Sequence, residues 1–256
     1  MKKTVKVGDV EVARIGLGTN RLTHTREHVA FVRAAAGAGV QMIDTAHLYT
    51  GGQSEETIGE ALSPIPSGCI VATKGGYGGA GHGRPEVLRL EIEQSLRTLG
   101  TDRIALYYLH RVSPDTAIEE SLAAIKEYQE RGKIGHIGIS EVGIDQIERA
   151  RKVVPIVAVQ NHYNLSERKY EDVVDYCARE GIVFVPFFPL RGDGGVALSR
   201  IAERHDTSPR QITLAWLLRR SPAMLPIPGT LSLEHLKENL AALNIELTDS
   251  EFESLR

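Results

Sequence analysis

The chain alternates short apolar stretches with longer amphipathic ones, and this alternation limits the possible folds more than any other feature of the sequence. Several of the short stretches are apolar at consecutive positions, for example 69–72, 104–109 and 182–185. Strands of this kind are covered on both faces, as they are in parallel sheets between layers of helices. We therefore predict eight strands, near residues 14–18, 40–44, 69–73, 104–109, 136–140, 156–160, 182–187 and 224–227.

The amphipathic stretches between these strands carry helix start signals, such as Ser54 with Glu56, Ser208 followed by a proline, and Ser232. Eight strand–helix units joined by right-handed crossovers close into a (β/α)8 barrel, the TIM barrel, and we predict this α/β fold class. A doubly wound open sheet is the alternative architecture. The predicted helices lie near residues 26–38, 54–63, 84–99, 115–131, 143–152, 166–180, 208–220 and 232–243.

Each end of the chain adds an element to this repeat. At the start, valines at alternating positions on either side of Gly8-Asp9 predict a β-hairpin with these two residues as its turn. At the end, Thr248 and Glu251 mark the start of a last short helix over 248–255. No linker, charge block or change of composition divides the chain, so residues 1–256 are predicted to form a single domain.

The composition narrows the classes of function. A net charge of −3 over 256 residues is too small for the basic surface that nucleic-acid binding needs. The first thirty residues lack the apolar core of a signal peptide, and no apolar run is long enough to span a membrane. Cys69 and Cys177 lie within apolar patterns and are predicted to be buried free thiols. We expect a cytoplasmic globular protein, monomeric or weakly homo-oligomeric, with no nucleic-acid or membrane partner.

Polar residues stand at the predicted C-terminal ends of the strands, where parallel barrels carry their catalytic groups. Among them are Asp44, Lys74 and His110, and Tyr49 follows on the loop after Asp44. Taken alone, each residue has an ordinary explanation: an aspartate caps a helix, a lysine is solvated, and a histidine is hydrogen-bonded in a loop. Together the four residue types favour proton-transfer chemistry at the mouth of the barrel.

These four types suit the reduction of a carbonyl group, because an acid must protonate the oxygen as negative charge develops on it. Tyr49 is the candidate acid. A tyrosine is a reluctant proton donor at neutral pH, and a nearby ammonium group stabilises its tyrosinate form. Lys74 would supply that charge and Asp44 would hold the lysine in place. His110 would orient the carbonyl oxygen through a hydrogen bond.

The segment that begins at Asp44 reads Asp-Thr-Ala-His-Leu-Tyr, and Gly-Gln-Ser-Glu follows at 52–55. It resembles the active-site segment of the aldo-keto reductases, whose motifs are Asp-x-Ala-x-x-Tyr and Gly-x-Ser-Glu. The resemblance extends over nearly the whole chain, and Asp44, Tyr49, Lys74 and His110 match the four catalytic residues of that family. It implies a barrel that uses NADPH, with NADH as the alternative cofactor, to reduce aldehydes and ketones.

The same resemblance implies a set of cofactor-binding residues. Ser140 and Gln160 would bind the nicotinamide carboxamide, and Phe187 would stack on the nicotinamide ring. The loop that follows, 191–195, would pass close to the pyrophosphate. The full set comprises Gly18, Thr19, Asn20, Asp44, Ser140, Gln160, Phe187, Pro189, Leu190, Arg191, Gly229, Thr230, His235, Glu238 and Asn239.

Three positions depart from the pattern of the family. Glu141 stands where the family has an asparagine beside the serine of the carboxamide site. Gly229 and His235 stand where the family has a lysine and an arginine for the 2′-phosphate of NADP. Backbone amides at a helix N-terminus, together with the Thr230 hydroxyl, remain as phosphate ligands in this segment.

The substrate pocket is expected to be formed by several loops. The glycine-rich run over 75–83 lacks the Gly-Lys-Ser/Thr of a phosphate-binding loop, so we predict a mobile loop at the mouth of the pocket. His47, Tyr77, His82 and His110 are expected to line the pocket. The chain ends soon after its last barrel helix, and we expect this short tail to leave the pocket open.

These observations predict an NADP(H)-dependent reductase whose partner is a small-molecule carbonyl substrate, with pyridoxal as one candidate beside aryl and aliphatic aldehydes. Two alternatives stay open. A barrel of this kind could bind nicotinamide to sense redox state with little turnover. Less favoured is a metal-dependent hydrolase with Asp44, His47, His110 and His162 as ligands, because the spacings typical of metal sites are missing and no metal is expected.

Overall fold

The computed structural model describes residues 2–192 and 194–255, and within them no helix is both long enough and apolar enough to cross a membrane. It begins with the predicted hairpin, in which strands β1 (Thr4–Val7) and β2 (Val10–Ala13) pair antiparallel. Gly8 has φ +64° in the turn, a conformation that glycine adopts without strain. The hairpin prediction is confirmed.

Parallel strands follow, and each pairs with the next one along the chain. The strand predicted at 182–187 is regular over two residues only, and it is bridged again through His162 and Phe187 beyond its end. The strands are β3 (Leu17–Gly18), β4 (Met42–Asp44), β5 (Ile70–Gly75), β6 (Ile104–Leu109), β7 (Ile134–Ser140), β8 (Ile156–Gln160) and β9 (Val183–Phe184).

The segment predicted as the eighth strand, 224–227, closes the ring between β9 and β3. Gly16 and Gly18 donate their N–H groups to the carbonyls of Pro226 and Pro228, at 3.0 and 3.3 Å. These prolines have no N–H to return, so the ladder to β3 is incomplete and the segment is not a regular strand. The predicted (β/α)8 barrel is confirmed with this one strand corrected.

The helices pack outside the ring of strands, in the alternation that the sequence predicts. They are α1 (Arg26–Gly37), α2 (Gln53–Leu62), α3 (Pro85–Leu99), α4 (Ile118–Glu130), α5 (Ile144–Arg151), α6 (Glu171–Glu180), α7 (Gly195–Arg204), α8 (Pro209–Arg220), α9 (Leu233–Ala241) and α10 (Asp249–Ser254). Short 3-10 turns lie at Tyr49–Gly52 and Ala242–Asn244. Thr248 caps α10 in a capping box with Glu251, as predicted.

Two predicted helices begin later than expected. The helix predicted over 166–180 begins at Glu171, because the Asn164 side chain accepts hydrogen bonds from the N–H groups of Ser166 and Glu167 and holds a turn there. The helix predicted over 115–131 begins at Ile118.

Helix α7 was not predicted. It starts within a Gly-Asp-Gly-Gly run that is typical of a loop, and it buries only Ile201 and Ala202. A helix with so narrow an apolar face gives a weak periodic signal. The loop expected over 191–195 therefore ends where this helix begins, and its residue 193 lies outside the described residues.

Ser54 does not have the capping role that its sequence context indicated. Helix α2 begins one residue earlier, at Gln53, and Ser54 lies in its first turn. The Ser54 hydroxyl is hydrogen-bonded to that of Thr45 at 2.8 Å and donates to the carbonyl of Thr19 at 3.1 Å. Ser54 thus ties together the loops that follow β3 and β4, beside the C-terminal mouth of the barrel.

Apolar side chains form two cores, one inside the ring of strands and one between the strands and the helices. Val7 and Val12 of the hairpin belong to the inner core and cover the end of the barrel where the strands begin. There the Nε2 of His136 is hydrogen-bonded to the carboxylate of Asp9, so His136 has a structural role. The other fully buried members of the inner core are Met42, Ile70, Ala72, Leu106, Tyr108, Ala158, Val183, Val185, Leu225 and Ile227.

The two cysteines are free thiols, as predicted. Cys177 is fully buried in the outer core, whereas Cys69 is only partly buried. Burial raises the pKa of the Cys69 thiol to about 11 and that of Cys177 to about 12. Neither thiol has the lowered pKa that a reactive cysteine needs.

Arg14 is a buried cation that holds the end of the barrel wall. Its guanidinium donates to the carbonyls of Leu218 at 2.8 Å and Met224 at 3.1 Å, and also to that of Ser221. Burial lowers its pKa to about 10. These three carbonyls lie at the end of α8 and in the segment after it. Arg14 therefore holds in place the chain that leads from α8 into the irregular eighth strand.

We expect Arg14→Met to lower the free energy of unfolding by about 3 kcal/mol, because three buried carbonyls lose their donor. The control is Arg33→Met, since the exposed Arg33 donates to the carbonyls of Glu60 and Ala61, which water can satisfy instead. That change is expected to cost less than about 1 kcal/mol. Urea unfolding of the three proteins measures the difference, and equal losses in both variants would contradict the role of Arg14.

Candidate active site

A cavity of about 520 Å³ opens at the C-terminal ends of the barrel strands. Most of the residues predicted for the site line it, although they are far apart in the sequence. They are Gly18, Thr19, Asn20, Asp44, Tyr49, Tyr77, His110, Gln160, Phe187, Pro189, Leu190, Arg191 and Gly229. The structure therefore brings most of the predicted catalytic and cofactor residues to one place.

Lys74 and Asp44 form a buried ion pair at the floor of this cavity. The Lys74 Nζ donates to the Asp44 carboxylate at 2.5 Å and to the backbone carbonyl of Thr45 at 2.6 Å, and both charged side chains are almost fully buried. The second carboxylate oxygen accepts from the Gln160 side chain at 2.7 Å. Burial acts against the charge on Lys74, but Asp44 and Tyr49 outweigh it and raise the pKa of the lysine.

Tyr49 is presented to the cavity by an unusual turn. The residues after it, Thr50, Gly51 and Gly52, all have positive φ angles, and the Thr50 hydroxyl anchors the turn by donating to the carbonyl of Leu22. The Lys74 Nζ lies 3.5 Å from the Tyr49 hydroxyl and 5.0 Å from the centre of its ring. A cation is thus held against the phenol oxygen.

His110 completes the group of four at the end of β6. Its backbone N–H donates to the carbonyl of Gly75 at 2.7 Å, and its ring centre lies 6.0 Å from that of Tyr49. Burial, with added repulsion from Lys74 and Arg111, lowers its pKa to about 2. The imidazole is therefore neutral at ordinary pH, and a neutral ring can still donate one hydrogen bond.

The residues predicted to bind the nicotinamide come from neighbouring strand ends. Ser140 ends β7 and Gln160 ends β8, and both are buried. The Ser140 hydroxyl accepts a hydrogen bond from Arg111 at 3.0 Å. The ring of Phe187 lines the cavity and is stacked on His162, with 5.2 Å between ring centres. His162 thus packs behind the predicted stacking residue.

The predicted phosphate-binding segment begins beside the cavity and continues into α9. Ser232 caps this helix by accepting a hydrogen bond from the N–H of His235. Arg21, which sequence reasoning missed, donates to the carbonyl of Gly229 at 3.0 Å and lines the cavity. Thr230, His235, Glu238 and Asn239 follow on α9 or just before it and do not line the cavity.

Some predicted pocket residues lie elsewhere. His47 does not line the cavity, and its Nδ1 faces the buried Glu55 at 4.0 Å. His82 packs against Gly78 in the glycine-rich loop and is also absent from the cavity wall. Glu141 has a φ of +57° and accepts the N–H of His162 at 2.7 Å, so its carboxylate is used by the backbone.

Sequence reasoning missed Arg111 as well as Arg21. Arg111 lines the cavity and directly follows His110, so its position next to a predicted catalytic residue was the available signal. Across residues 2–192 and 194–255, no group of three or more histidine, cysteine or acidic side chains is placed to hold a metal ion. The metal-dependent alternative therefore has no ligand set in that part of the chain.

Known proteins share this arrangement of sequence and fold. A family model described as the aldo/keto reductase family matches residues 14–196 and 195–256. The chain is 39% identical to the uncharacterized oxidoreductase C215.11c of Schizosaccharomyces pombe, over 98% of this chain and 88% of that protein. It is 36% identical to the pyridoxine 4-dehydrogenase of Escherichia coli, over 98% of this chain and 96% of that protein.

Solved structures agree with this likeness. The crystal structure of an aldo/keto reductase from Klebsiella pneumoniae in complex with NADP and acetate has a TM-score of 0.89 to this chain at 29% identity. The match covers 100% of this chain and 94% of that one. The thermostable aldo-keto reductase Tm1743, in complex with the inhibitor epalrestat, has a TM-score of 0.90 at 31% identity, over 98% of both chains.

The buried neutral His110 predicts a stability that falls in acid. Its pKa in the folded protein lies below the value of about 6.5 in the unfolded chain, so the unfolded state binds an extra proton as pH falls below 6.5. Between pH 7.5 and 5.0 this group lowers the free energy of unfolding by about 2 kcal/mol. Denaturant unfolding at both pH values should therefore show a smaller acid loss in His110→Asn than in the parent, by about that amount.

The matched control is the exposed His235→Asn, which should keep the acid loss of the parent protein. The same acid loss in His110→Asn as in the parent would mean that His110 is not held neutral by its surroundings.

Proposed function

The chain belongs to the aldo/keto reductase family of NADP-dependent oxidoreductases, and on that premise we propose that Tyr49 is the proton donor when it reduces aldehydes and ketones to alcohols. One observation carries the proposal. The Lys74 ammonium is held by Asp44 at 2.5 Å and lies 3.5 Å from the Tyr49 hydroxyl, at the floor of the cavity.

The cavity residues suit a nicotinamide dinucleotide. A side chain at position 18 would not fit, because a Cβ added to Gly18 would lie 2.8 Å from the carbonyl oxygen of Ile227. The backbone of Gly18 therefore forms this part of the cavity wall. Phe187 offers an aromatic face and Gln160 a polar group to the cavity, and Ser140, which is buried and does not itself line the cavity, is the second proposed carboxamide ligand. The reduced nicotinamide supplies a hydride to the carbonyl carbon when it is bound.

The side chains of the site then handle the charge that appears on the carbonyl oxygen. Tyr49 gives its proton to that oxygen, and the Lys74 ammonium stabilises the phenolate that remains. Asp44 keeps the ammonium charged and in position within a buried site. His110, neutral because it is buried beside two cations, donates a hydrogen bond that orients the carbonyl.

The same residues serve the reverse reaction, in which Tyr49 accepts the proton of an alcohol. Pyridoxal is a candidate substrate beside simple aryl and aliphatic aldehydes, and the similarity to a pyridoxine 4-dehydrogenase supports testing it first. The alternative of a nicotinamide-sensing barrel with little turnover is less favoured, because a buried lysine beside a tyrosine hydroxyl is the arrangement that proton transfer requires.

We expect Tyr49→Phe to lower kcat for the reduction of 4-nitrobenzaldehyde or pyridoxal by about 10³-fold, because general acid catalysis is lost. NADPH binding, measured by fluorescence titration, should stay within about threefold of the parent, since the ring is retained. The control is Tyr107→Phe: the Tyr107 hydroxyl is buried without a hydrogen-bond partner among the described residues, so its removal should leave kcat unchanged.

Two outcomes would contradict this assignment. Equal rates in parent and Tyr49→Phe would exclude Tyr49 as the acid. Tight NADPH binding by the parent, with no turnover of any carbonyl compound, would favour the sensing barrel instead.

We infer that Arg21 contributes to the choice of NADPH over NADH, because it places a guanidinium beside Gly229, where the family has a lysine. Arg21→Met is expected to raise KM for NADPH by about tenfold and KM for NADH by less than about threefold. Steady-state kinetics with both cofactors tests this, with the exposed Arg26→Met on α1 as control. Equal increases for the two cofactors would exclude recognition of the 2′-phosphate by Arg21.

A further inference from the structure

Arg111 is a cation in the wall of the cavity that has no direct part in the proposed hydride and proton transfer. It follows His110 directly, and its side chain is partly buried. The guanidinium carbon lies 5.4 Å from the ring centre of Tyr77 and 5.8 Å from that of Phe187. Two aromatic rings therefore hold it in place at the side of the catalytic group.

The hydrogen bonds of Arg111 do not neutralise its charge. One nitrogen, Nη1, donates to the backbone carbonyl of His110 at 2.6 Å and to the Ser140 hydroxyl at 3.0 Å. Both acceptors are neutral. Among residues 2–192 and 194–255, no carboxylate lies within ion-pair distance of Arg111, since every ion pair of the described residues involves other side chains.

The Arg111 guanidinium is a cation of the cavity wall that the acid of the cavity does not neutralise. The acid of the floor, Asp44, is already paired with Lys74. An arginine has five N–H bonds, and the two that Arg111 uses among the described residues both belong to Nη1, so within that part of the chain Nε and Nη2 remain free to donate. Such a pair of parallel donors matches the geometry of a carboxylate or a phosphate.

We propose that Arg111 binds an anionic substituent of the substrate, and that the preferred substrates are aldehydes or ketones bearing a carboxylate or a phosphate. The proposal rests on the proposed reductase function. The ring of Tyr77 contacts both residues: its centre is 4.7 Å from that of His110 and 5.4 Å from the Arg111 guanidinium. In the proposed arrangement the carbonyl binds at His110 and the anionic end at Arg111.

Two other arginines of the cavity wall have different surroundings. The Arg191 guanidinium is stacked on Phe188 at 3.7 Å on the predicted pyrophosphate loop, and Arg21 is bonded to the backbone of Gly229. Both are exposed. Arg111 is the arginine of this group that adjoins a catalytic residue, so we assign the substrate to Arg111 and the cofactor phosphates to the other two.

The experiment compares matched anionic and neutral substrates. 4-Carboxybenzaldehyde is set against its methyl ester, and pyridoxal 5′-phosphate against pyridoxal, in the parent, Arg111→Met and Arg111→Gln. We expect kcat/KM for the anionic member of at least one pair to fall by about 10- to 100-fold, through KM, while the neutral member stays within about threefold. Comparing the two pairs shows whether the anion is a carboxylate or a phosphate.

The control is Arg84→Met, which removes a cation that is already paired with Asp115 and should not alter the preference. Thermal unfolding checks that the variants fold. Because Arg111 is replaced by both methionine and glutamine, the comparison can still be made if one of the two variants does not fold. NADPH binding is titrated in each, and it should be unchanged.

Three results would overturn the proposal. An equal loss for the anionic and neutral substrates would show that Arg111 only positions His110 and Ser140. A weaker affinity for NADPH would assign it to the cofactor. Unchanged rates would leave it without a role in recognition. If the parent protein reduces none of the four compounds while it binds NADPH, the reductase function itself fails, and this outcome is distinct from the other three.

Discussion

The buried ion pair between Lys74 and Asp44 is the interaction on which the rest of the site depends. Two charges removed from water are stable only when further hydrogen bonds satisfy the donors and acceptors that the ion pair leaves unused. Here the Lys74 ammonium also donates to the carbonyl of Thr45, and the Asp44 carboxylate also accepts from the Gln160 amide. The ammonium then acts on both of its neighbours. It lies beside the hydroxyl of Tyr49, and together with burial it keeps the imidazole of His110 neutral. The same fixed cation thus lies beside the proposed acid and adds to the burial that keeps His110 neutral.

The ion pair lies between the apolar interior of the barrel and the cavity. Apolar side chains fill the ring of strands beneath the site, and the N-terminal hairpin covers the far end. The cavity, which Asp44 lines, lies on the other side of the ion pair. The turn after Tyr49, with Thr50 and two glycines at positive φ, aims the phenol at the ammonium. A strand supplies the charge, and a strained loop supplies the proposed acid.

Much of this arrangement could be predicted from the sequence, and the misses have physical causes. Strands covered on both faces give unbroken apolar runs, so β6 and β8 were predicted with the right bounds. The prolines of the eighth strand remove N–H donors and leave it irregular, and the glycines before α7 conceal a helix with a narrow apolar face. His47 was expected in the pocket, but its ring faces Glu55 instead.

The sequence by itself determined the alternation of strands and helices, the hairpin at the start, and the residue types that stand at the strand ends. Local patterns can do this because strand and helix periodicity and turn chemistry are properties of neighbouring residues. Only the tertiary structure decided which charges meet. Asp44 and Gln160 are 116 positions apart and share a hydrogen bond, and Arg111 lines the cavity with no acid paired to it among the residues that the structure describes. Such pairings follow from closing the barrel, which brings distant strand ends to one mouth.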